Sequence, residues 1–410
     1  MKIETKSIVY SGVRKMKVLI ADKLSPKAVS ELQALGCDVT MDPDLSADDL
    51  PGAISAVEIL IVRSTKVTAA TIDAGTSLSM IIRAGAGVNT IDLKEASSRG
   101  IHVANCPGKN TDAVAELAIG HLIAADRRIV AANNDLGRGQ WKKKEYQKAK
   151  GLKGRTLGII GLGAIGKAVT KRAKGLEMNV IAWSRSLTPE KAQEMKIGYC
   201  DSPEEVALQA DAVSVHIADK PETAHIVNRK FLEKMKDGAI LVNCARGGVV
   251  DTTALKEAIK AKGLRVGLDV FENEPTGGID GFKDTELAEM ANCTPHIGAS
   301  TSQASEAVAA EVVRIVRSYK ETGKPVNTVN IQEKSPALIN LVVRHYNRVG
   351  VLAGVLDELR NADINIEEME NLIFAGGQAA SCTLKLDSEP NYQTIKNIKK
   401  SDDVIEAMLK

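Results

Sequence analysis

The stretch TLGIIGLGAIG, residues 156–166, contains the feature that organises the predicted fold. A short apolar run breaks here into the pattern G-x-G-x-x-G, formed by Gly161, Gly163 and Gly166, and a helical pattern follows. Such a turn lets a dinucleotide pyrophosphate approach backbone N–H groups at a helix N-terminus. Because a glycine turn also occurs where a helix merely packs closely on a strand, the neighbouring elements must distinguish these two interpretations.

Six strand-like runs begin at this stretch, and helical patterns separate most of them. This alternation is typical of a doubly wound parallel sheet, and its first strand carries the glycine turn. The sequence therefore predicts a dinucleotide-binding sheet. The runs are TLGIIG (156–161), NVIAWS (179–184), AVSVHI (212–217), AILVNCA (239–245), RVGLDV (265–270) and NCTPHIG (292–298).

A shorter alternating series before this sheet predicts a second α/β lobe. The first strand signal starts at Met16, so residues 1–15 are expected to form a loosely held extension. Residues 110–132 are the longest amphipathic helical pattern, which we expect to bridge the two lobes. The runs of this series are KVLIAD (17–22), VTMD (39–42), EILIVRS (58–64) and MIIRAGAG (80–87), with a helix over 25–35.

A third pattern begins after a helix predicted over 302–322 and a Gly-Lys-Pro linker at 323–325. The order of elements is strand, helix, strand, strand, helix, strand, which is that of a ferredoxin-like βαββαβ unit. A second domain type at this position suggests regulation or assembly. The predicted elements are strands 337–344, 364–374, 379–387 and 403–409, helices 351–360 and 392–399, and a hairpin turn at 375–378.

Composition favours a small-molecule function. The 410 residues predict two or three domains, and 54 Lys+Arg against 52 Asp+Glu give a net charge of +2, which requires neither nucleic acid nor an acidic membrane as partner. No apolar run reaches ~18 residues, so we expect no membrane span. The 6 cysteines and 6 histidines show no ligand spacing, which predicts reduced thiols, no metal site and a cytoplasmic protein.

Three residues of complementary chemistry follow the later strand-like runs. Arg246, Glu274 and His296 stand where strands of an open α/β sheet end, and ligands bind at that edge. Seen singly, each is more often an ordinary structural or surface residue. Together beside a dinucleotide turn, they supply the base, its carboxylate partner and the cation that hydride transfer from a 2-hydroxy acid requires.

Four motifs together closely resemble the D-2-hydroxyacid dehydrogenase family, over residues 16–330. The resemblance implies two Rossmann-like lobes with a cleft between them. It also implies that His296 is the general acid/base, that Glu274 pairs with it, and that Arg246 binds the substrate carboxylate and carbonyl. The motifs are GIIGLGAIG (158–166), NCARGGVVDTTAL (243–255), GLDVFENEP (267–275) and TPHIGAST (294–301).

The same resemblance implies domain boundaries and a cofactor site. Residues 16–108 and 298–330 correspond to a substrate-binding domain, 109–297 to a dinucleotide-binding Rossmann domain, and 331–410 to an ACT regulatory domain. Asp269 resembles the residue that orients the nicotinamide carboxamide. The residues expected to contact the cofactor are Gly161, Gly163, Ala164, Ile165, Gly166, Ser184, Arg185, Ala245 and Asp269.

The choice between NAD and NADP stays open in the sequence. An NAD-specific site has an acidic residue ~20 residues past the glycines that accepts a hydrogen bond from the ribose 2′-OH. Here the strand ends in Ser184-Arg185. An arginine beside a small hydroxyl residue suits a 2′-phosphate, but the guanidinium can also stack on adenine. Since most family members that act on 3-phosphoglycerate use NAD, we expect NAD, with NADP as the alternative.

The first lobe contains the residues expected to select the substrate. Bare backbone N–H groups in the loop of Ala86, Gly87 and Val88 suit a carboxylate. Two arginines, Arg63 beside Ser64 and Arg83 at the next strand end, suit a second anionic group such as a phosphate. Without the resemblance they are equally well surface cations. The resemblance matches them to phosphate-binding positions, which favours 3-phosphoglycerate over glycolate or lactate.

His345, Asn347 and Asn365 of the final unit fall on positions that bind L-serine in serine-inhibited family members, and Gly350 allows close approach. Asn amides can read both the carboxylate and the hydroxyl of an amino acid. The alternative is a purely structural dimerisation module. Because such modules pair edge strands across two-fold axes in this family, we expect a homodimer or homotetramer.

The resulting hypothesis is oxidation of 3-phosphoglycerate to 3-phosphohydroxypyruvate, the first step of L-serine synthesis, with L-serine as the effector. The nearest alternative enzyme is an NADP-linked reductase of glyoxylate, hydroxypyruvate or 2-oxoglutarate, which Ser184-Arg185 favours and the C-terminal unit disfavours. An alternative of another class is a nucleotide-sensing scaffold similar to the dehydrogenase-fold corepressors.

Overall fold

The computed structural model describes residues 15–275, 281–332 and 336–410. The predicted N-terminal extension, residues 1–15, therefore lies almost wholly outside the described residues. Two compact units divide between Asn330 and Ile331. Within the described ranges, no helix is long and apolar enough to cross a membrane.

A five-stranded parallel sheet forms the first lobe, in the order β2-β1-β3-β4-β5. Apolar residues cover both of its faces, as parallel sheets require. The predicted strands are present, but β5 was not predicted because HVAN contains only two apolar residues. The elements are β1 (Met16–Ile20), α1 (Pro26–Ala34), β2 (Cys37–Met41), α2 (Leu50–Ala53), β3 (Ile59–Val62), α3 (Ala69–Ala74), β4 (Met80–Arg83), α4 (Leu93–Ser98) and β5 (His102–Asn105).

The connection between the lobes consists of three helices, α5 (Thr111–Arg127), α6 (Ile129–Gly137) and α7 (Lys143–Tyr146). The prediction of one helix over 110–132 was wrong, because Arg128 adopts a left-handed conformation with φ 53°. The Arg128 N–H still donates to the Ala124 carbonyl oxygen, and the left-handed conformation of Arg128 then ends α5. The helical periodicity continues past this break, so apolar spacing alone did not reveal it.

The second sheet has seven parallel strands in the order β12-β11-β10-β9-β6-β7-β8, which places the glycine strand β6 between β9 and β7. All six predicted strands are present. The two-residue β8 was not predicted, and β12 is much shorter than 292–298 because Pro295 has no N–H for a sheet ladder. The elements are β6 (Thr156–Ile160), α8 (Ala164–Gly175), β7 (Asn179–Trp183), α9 (Pro189–Glu194), β8 (Gly198–Tyr199), α10 (Pro203–Gln209), β9 (Ala212–Val215), α11 (Arg229–Lys234), β10 (Ile240–Asn243), α12 (Thr252–Lys262), β11 (Arg265–Leu268), α13 (Thr285–Met290) and β12 (Asn292–Cys293).

Helix α14 (Ser302–Thr322) returns the chain to the first lobe and confirms the helix predicted over 302–322. Thr301 accepts a hydrogen bond from the Ala304 N–H at one end, and Gly323 takes a left-handed conformation at the other. The buried face of α14 joins the apolar core of the first sheet. After the helix, Thr328 forms an antiparallel bridge with Ala104 of β5.

The final unit is an antiparallel sheet in the order β14-β15-β13-β16 with two helices. This is the predicted ferredoxin-like arrangement, so the fold class is confirmed. Gly376 and Gly377 both have positive φ in the hairpin predicted at 375–378. The elements are β13 (Ile339–Tyr346), α15 (Val351–Asn361), β14 (Ile366–Ile373), β15 (Ala379–Leu386), α16 (Tyr392–Ile398) and β16 (Val404–Leu409).

Candidate active site

A cleft of about 830 Å³ lies at the carboxyl ends of the strands of both parallel sheets. The loop after β4 lines one side, and the ends of β9, β10 and β11 line the other. The candidate acid/base and some of the residues expected to bind substrate and cofactor thus line one cavity, as the topology of open α/β sheets predicts. Its lining includes Ala86, Gly87, Val88, Ile165, Ala245, Arg246, Asp269 and His296.

The three glycines after β6 have distinct surroundings. A Cβ at Gly161 would lie 2.5 Å from the His216 carbonyl oxygen, and one at Gly166 would lie 2.1 Å from the Gly161 carbonyl oxygen. These two glycines therefore allow the strand, turn and helix to pack. Apart from its chain neighbours, a Cβ at Gly163 would meet no described residue within 4 Å, and Gly163 is the N-cap of α8. Open space above a helix N-terminus fits the pyrophosphate of a dinucleotide.

His296 and Glu274 form a direct pair, with 2.7 Å between Nδ1 and Oε2. The other carboxylate oxygen of Glu274 accepts the Phe271 N–H at 3.0 Å. Burial raises the pKa of the Glu274 carboxyl, but the hydrogen bonds from His296 and Phe271 outweigh this effect and lower that pKa below its usual value. Glu274 is therefore a carboxylate at neutral pH and can hold the imidazole in one orientation.

Asp269 holds the loop that carries His296. Its buried carboxylate accepts hydrogen bonds from the Thr294 hydroxyl at 2.6 Å, the Ile297 N–H at 2.8 Å and the Gly298 N–H at 2.7 Å. These contacts surround His296, whose backbone is left-handed with φ 52°. Such a conformation is costly for a residue other than glycine and needs support from its neighbours. The sequence alone did not predict this structural use of Asp269.

Buried His121 extends this network into α5. Its Nε2 lies 3.1 Å from the Thr294 hydroxyl, which donates its own hydrogen to Asp269. Burial lowers the pKa of the His121 imidazole, and the nearby Asp269 opposes that shift. No motif surrounds His121, so sequence reasoning gave it no role. The glycine at position 267 on β11 makes room for His121, since a Cβ there would lie 2.6 Å from the His121 Cβ. A glycine within a strand-like run was the sequence feature that indicated a close contact.

Arg246 lies where the two lobes approach each other. Asn243 donates to the Arg246 carbonyl oxygen at 2.9 Å and fixes the turn after β10. A Cβ at Gly87 would lie 2.8 Å from Arg246 Nη2, so the glycine permits the substrate-lobe loop to reach the guanidinium. The Arg246 charge also helps to lower the pKa of Glu274. All three candidates for catalysis are therefore within electrostatic reach of one another.

Arg63 and Arg83 line a second, smaller cavity of about 80 Å³ together with Lys23. The Nε atom of Arg83 is buried and has no hydrogen-bond partner among the residues that the structure describes. Burial lowers the pKa of the Arg83 guanidinium, and the charges of Arg246 and Arg63 lower it further. Arg83 is therefore repelled by two other guanidinium groups, and an anion would stabilise this electropositive site.

Asp22 organises the loop that carries Arg63. Its Oδ2 accepts the N–H groups of Arg63 at 2.6 Å, Ser64 at 3.1 Å and Thr65 at 3.1 Å. The backbone donors at Ser64 are therefore already used within the protein. Sequence reasoning missed Asp22, although its place directly after a strand-like run was a signal.

Ser184 and Arg185 follow β7, where the ribose of the adenosine half of a dinucleotide is expected. Arg185 Nη1 lies 3.4 Å from Glu222 Oε1, and both side chains are exposed. Glu222 belongs to a 3₁₀ turn, Pro221–Thr223, after β9. The acid missing from the end of β7 thus has a counterpart on a different loop, which sequence spacing did not identify.

In the final unit, His345 and Asn347 lie at the opposite end of the sheet from Asn365. Strands β13 and β14 both pair with β15, and the register places His345 level with Ile373 at the far end of β14. His345 is buried, with Nε2 3.3 Å from Asn371 Oδ1, while Asn347 donates to the Gly377 carbonyl oxygen at 3.0 Å. One copy of the chain does not bring these three residues together.

Comparison with known proteins identifies related chains. The profile described as D-isomer specific 2-hydroxyacid dehydrogenase, NAD binding domain, matches residues 119–298. D-3-phosphoglycerate dehydrogenase of Methanocaldococcus jannaschii is 36% identical over 372 residues, which cover 90% of this chain and 69% of that protein. Hydroxypyruvate reductase of Thermotoga maritima is 43% identical over 282 residues, which cover 68% of this chain and 89% of that protein.

A solved structure extends the comparison to a cofactor complex. The NAD⁺-bound 3-phosphoglycerate dehydrogenase of Entamoeba histolytica superposes with a TM-score of 0.65 and 26% identity, covering 77% of this chain and 99% of that one. The chain spans between 60% and 69% of the length of the first two phosphoglycerate dehydrogenases that it matches by sequence. The sequence similarity to these enzymes, the matched NAD-binding domain and the geometry of the site all indicate the same family. The chain belongs to the D-isomer specific 2-hydroxyacid dehydrogenase family.

Proposed function

We propose that this enzyme oxidises 3-phospho-D-glycerate to 3-phosphohydroxypyruvate with NAD, in the cytoplasm. The arginines carry the proposal, because Arg63 and Arg83 line one small cavity and Arg246, which repels Arg83, also acts on Glu274 of the Glu274–His296 pair. A substrate with a carboxylate at one end and a phosphate at the other supplies two anionic groups for this cluster. The related phosphoglycerate dehydrogenases support the same substrate.

Each step of the proposed oxidation uses a group that lines the cleft or the smaller cavity, or that pairs with such a group. Arg246 holds the substrate carboxylate, and Arg63 and Arg83 hold the phosphate end. His296 takes the proton of the 2-hydroxyl group, and Glu274, 2.7 Å away, stabilises the imidazolium that forms. Bound NAD supplies the acceptor for the hydride that leaves C2. Reduction of the 2-oxo acid follows the same steps in reverse.

An initial-rate comparison tests the substrate. We expect kcat/KM for 3-phosphoglycerate to exceed that for D-glycerate by at least about 100-fold, because a charge-assisted contact to an arginine contributes about 1.5–3 kcal/mol and two are lost. Arg83→Met should reduce the preference and leave the rate with D-glycerate nearly unchanged. Equal values for the two substrates, or a higher value for 2-hydroxyglutarate, would contradict the proposal.

A second candidate is an NADP-linked reductase of hydroxypyruvate or glyoxylate. Arg185 after β7 favours it, and so does the 43% identity to the hydroxypyruvate reductase of T. maritima. The two candidate enzymes should prefer different substrates, one with a phosphate group and one without it. A reductase should turn over hydroxypyruvate at least as well as 3-phosphohydroxypyruvate, so the same kinetic series run in the reducing direction separates them.

We also propose that the protein forms a homodimer or homotetramer through two apolar surfaces. One includes Ile129, Leu136 and Trp141, with Trp141 80% exposed. The other is the sheet edge β14, with exposed Leu372 and Ile373. An edge strand with apolar side chains favours pairing with a second strand.

The C-terminal unit is proposed as an L-serine regulatory domain that works across two copies. If two β14 strands pair antiparallel, the start of one lies beside the end of the other. Asn365 of the partner subunit then reaches the end of the sheet at which His345 and Asn347 lie. Within one copy, Asn365 lies at the opposite end of the sheet from His345 and Asn347. This separation supports a serine site that two subunits share.

Serine binding has a direct calorimetric test. We expect L-serine to bind the intact protein and lower its activity without competing with 3-phosphoglycerate. Asn365→Ala should abolish this binding and leave the uninhibited rate unchanged, whereas Asn361→Ala at the nearby end of α15 serves as the control. Absence of any heat of binding, or competitive inhibition, would contradict regulation at this site.

A further inference from the structure

We propose that Glu222 is the residue that selects NAD over NADP, by occupying Arg185. This inference rests on the proposed NAD-dependent function and adds its specificity determinant. Arg185 alone suggests a 2′-phosphate site, since a guanidinium is well suited to a dianionic phosphate. The ion pair changes that interpretation, because Arg185 Nη1 already faces Glu222 Oε1 at 3.4 Å.

The strand order explains why these residues meet. The glycine strand β6 lies between β7 and β9, so the loops after β7 and β9 flank the glycine turn on either side. Arg185 extends from the loop after β7, and Glu222 extends from the loop after β9. Lys220 of the second loop lines the cleft together with Ile165 of α8, which places this loop beside the cofactor turn.

The loop that carries Glu222 is tightly held. Thr223 Oγ1 donates to the Ala218 carbonyl oxygen at 2.7 Å and accepts the Lys220 N–H at 2.9 Å. The Ala224 N–H also donates to the Lys220 carbonyl oxygen at 3.0 Å. This closed turn fixes the backbone position from which Glu222 extends. The Glu222 carboxylate can therefore reach Arg185 and a group that binds at the end of β7.

The two cofactors meet this pair differently. The ribose 2′-OH of NAD can donate a hydrogen bond to the Glu222 carboxylate. Glu222 would then replace the acidic residue that usually accepts this hydrogen bond at the end of the strand corresponding to β7. A 2′-phosphate carries a charge of about −1.5 to −2 at neutral pH and has no hydrogen to donate when ionised. It would have to displace Glu222 from Arg185 and remain close to the repelling carboxylate. NADP binding is therefore penalised.

Fluorescence titration of the intact enzyme with NADH and NADPH tests the inference through dissociation constants. We expect the wild type to bind NADH at least about tenfold more tightly, and Glu222→Gln to tighten NADPH binding about tenfold, as expected for removing an exposed charge near a phosphate. NADH binding should weaken several-fold. The NADPH gain should be absent from the Glu222→Gln/Arg185→Gln double variant, since it requires the freed guanidinium.

Glu257→Gln is the matched control, because it breaks another exposed Arg–Glu pair, that with Arg229, in the same lobe. It should leave both dissociation constants unchanged. A wild type that prefers NADPH, or an unchanged NADPH affinity in Glu222→Gln, would overturn the inference. Neither result tests the proposed substrate, which the initial-rate comparison of 3-phosphoglycerate with D-glycerate and 2-hydroxyglutarate tests separately.

Discussion

His296→Asn is expected to lower kcat by about 10²- to 10⁴-fold, the usual contribution of a positioned acid/base group. The substitution removes the base but preserves much of its surroundings. The asparagine side-chain amide can still donate to Glu274, which lies 2.7 Å from Nδ1 of the imidazole. Asparagine also tolerates the left-handed backbone found at position 296. The loss should therefore report proton transfer rather than a collapsed loop.

The protein contains a matched control for this experiment. His225 also has a left-handed backbone, and its Nε2 lies 2.7 Å from Glu272 Oε1. His225→Asn should change kcat by less than about threefold, because we assign this residue no part in proton transfer. Melting temperature and NADH affinity should be unchanged in His296→Asn. A fall in kcat of less than tenfold, or equal effects of both substitutions, would remove His296 from its proposed role.

The sheets and the candidate catalytic trio were accessible from the sequence because their signals are local. Short branched-apolar runs marked the strands, and Thr301 and Gly323 lie at the ends of α14 as capping residues should. Arg246, Glu274 and His296 followed strand ends, so the parallel topology brought them to one cleft. The strands missed, β5 and β8, had too few apolar residues to produce such a signal.

Hydrogen-bond partners distant in the chain could not be predicted in the same way. Asp22 organises the Arg63 loop, and Glu222 meets Arg185, through contacts that only the folded sheet order creates. Asp269 serves the His296 loop for the same reason. Asp22 and Glu222 look like ordinary polar residues in the sequence, and Asp269 was expected there only to contact the cofactor. Their functions depend on which strands are neighbours, and local periodicity does not contain that information.

Gly163→Val is expected to weaken NADH binding by at least about 100-fold while leaving the fold intact. Apart from its chain neighbours, a Cβ at this position would meet no atom of the described residues within 4 Å, so the apoprotein has room for the substitution. It would occupy the space above the N-terminus of α8, into which the pyrophosphate must come to reach backbone N–H groups. Hydrogen bonds to charged groups contribute about 1.5–3 kcal/mol each, and loss of two corresponds to this decrease.

Two other glycines of the same helix separate this effect from general damage. Gly175 at the far end of α8 also faces open space, so Gly175→Val should leave NADH affinity unchanged. Gly166→Ala should instead destabilise the protein itself by about 1–3 kcal/mol, since its Cβ would meet the Gly161 carbonyl oxygen at 2.1 Å. Fluorescence titration and thermal unfolding of all three variants distinguish a lost ligand contact from a strained fold. Normal NADH binding by Gly163→Val would show that the cofactor does not use this turn, whereas a lowered melting temperature would show that the open space at Gly163 serves folding.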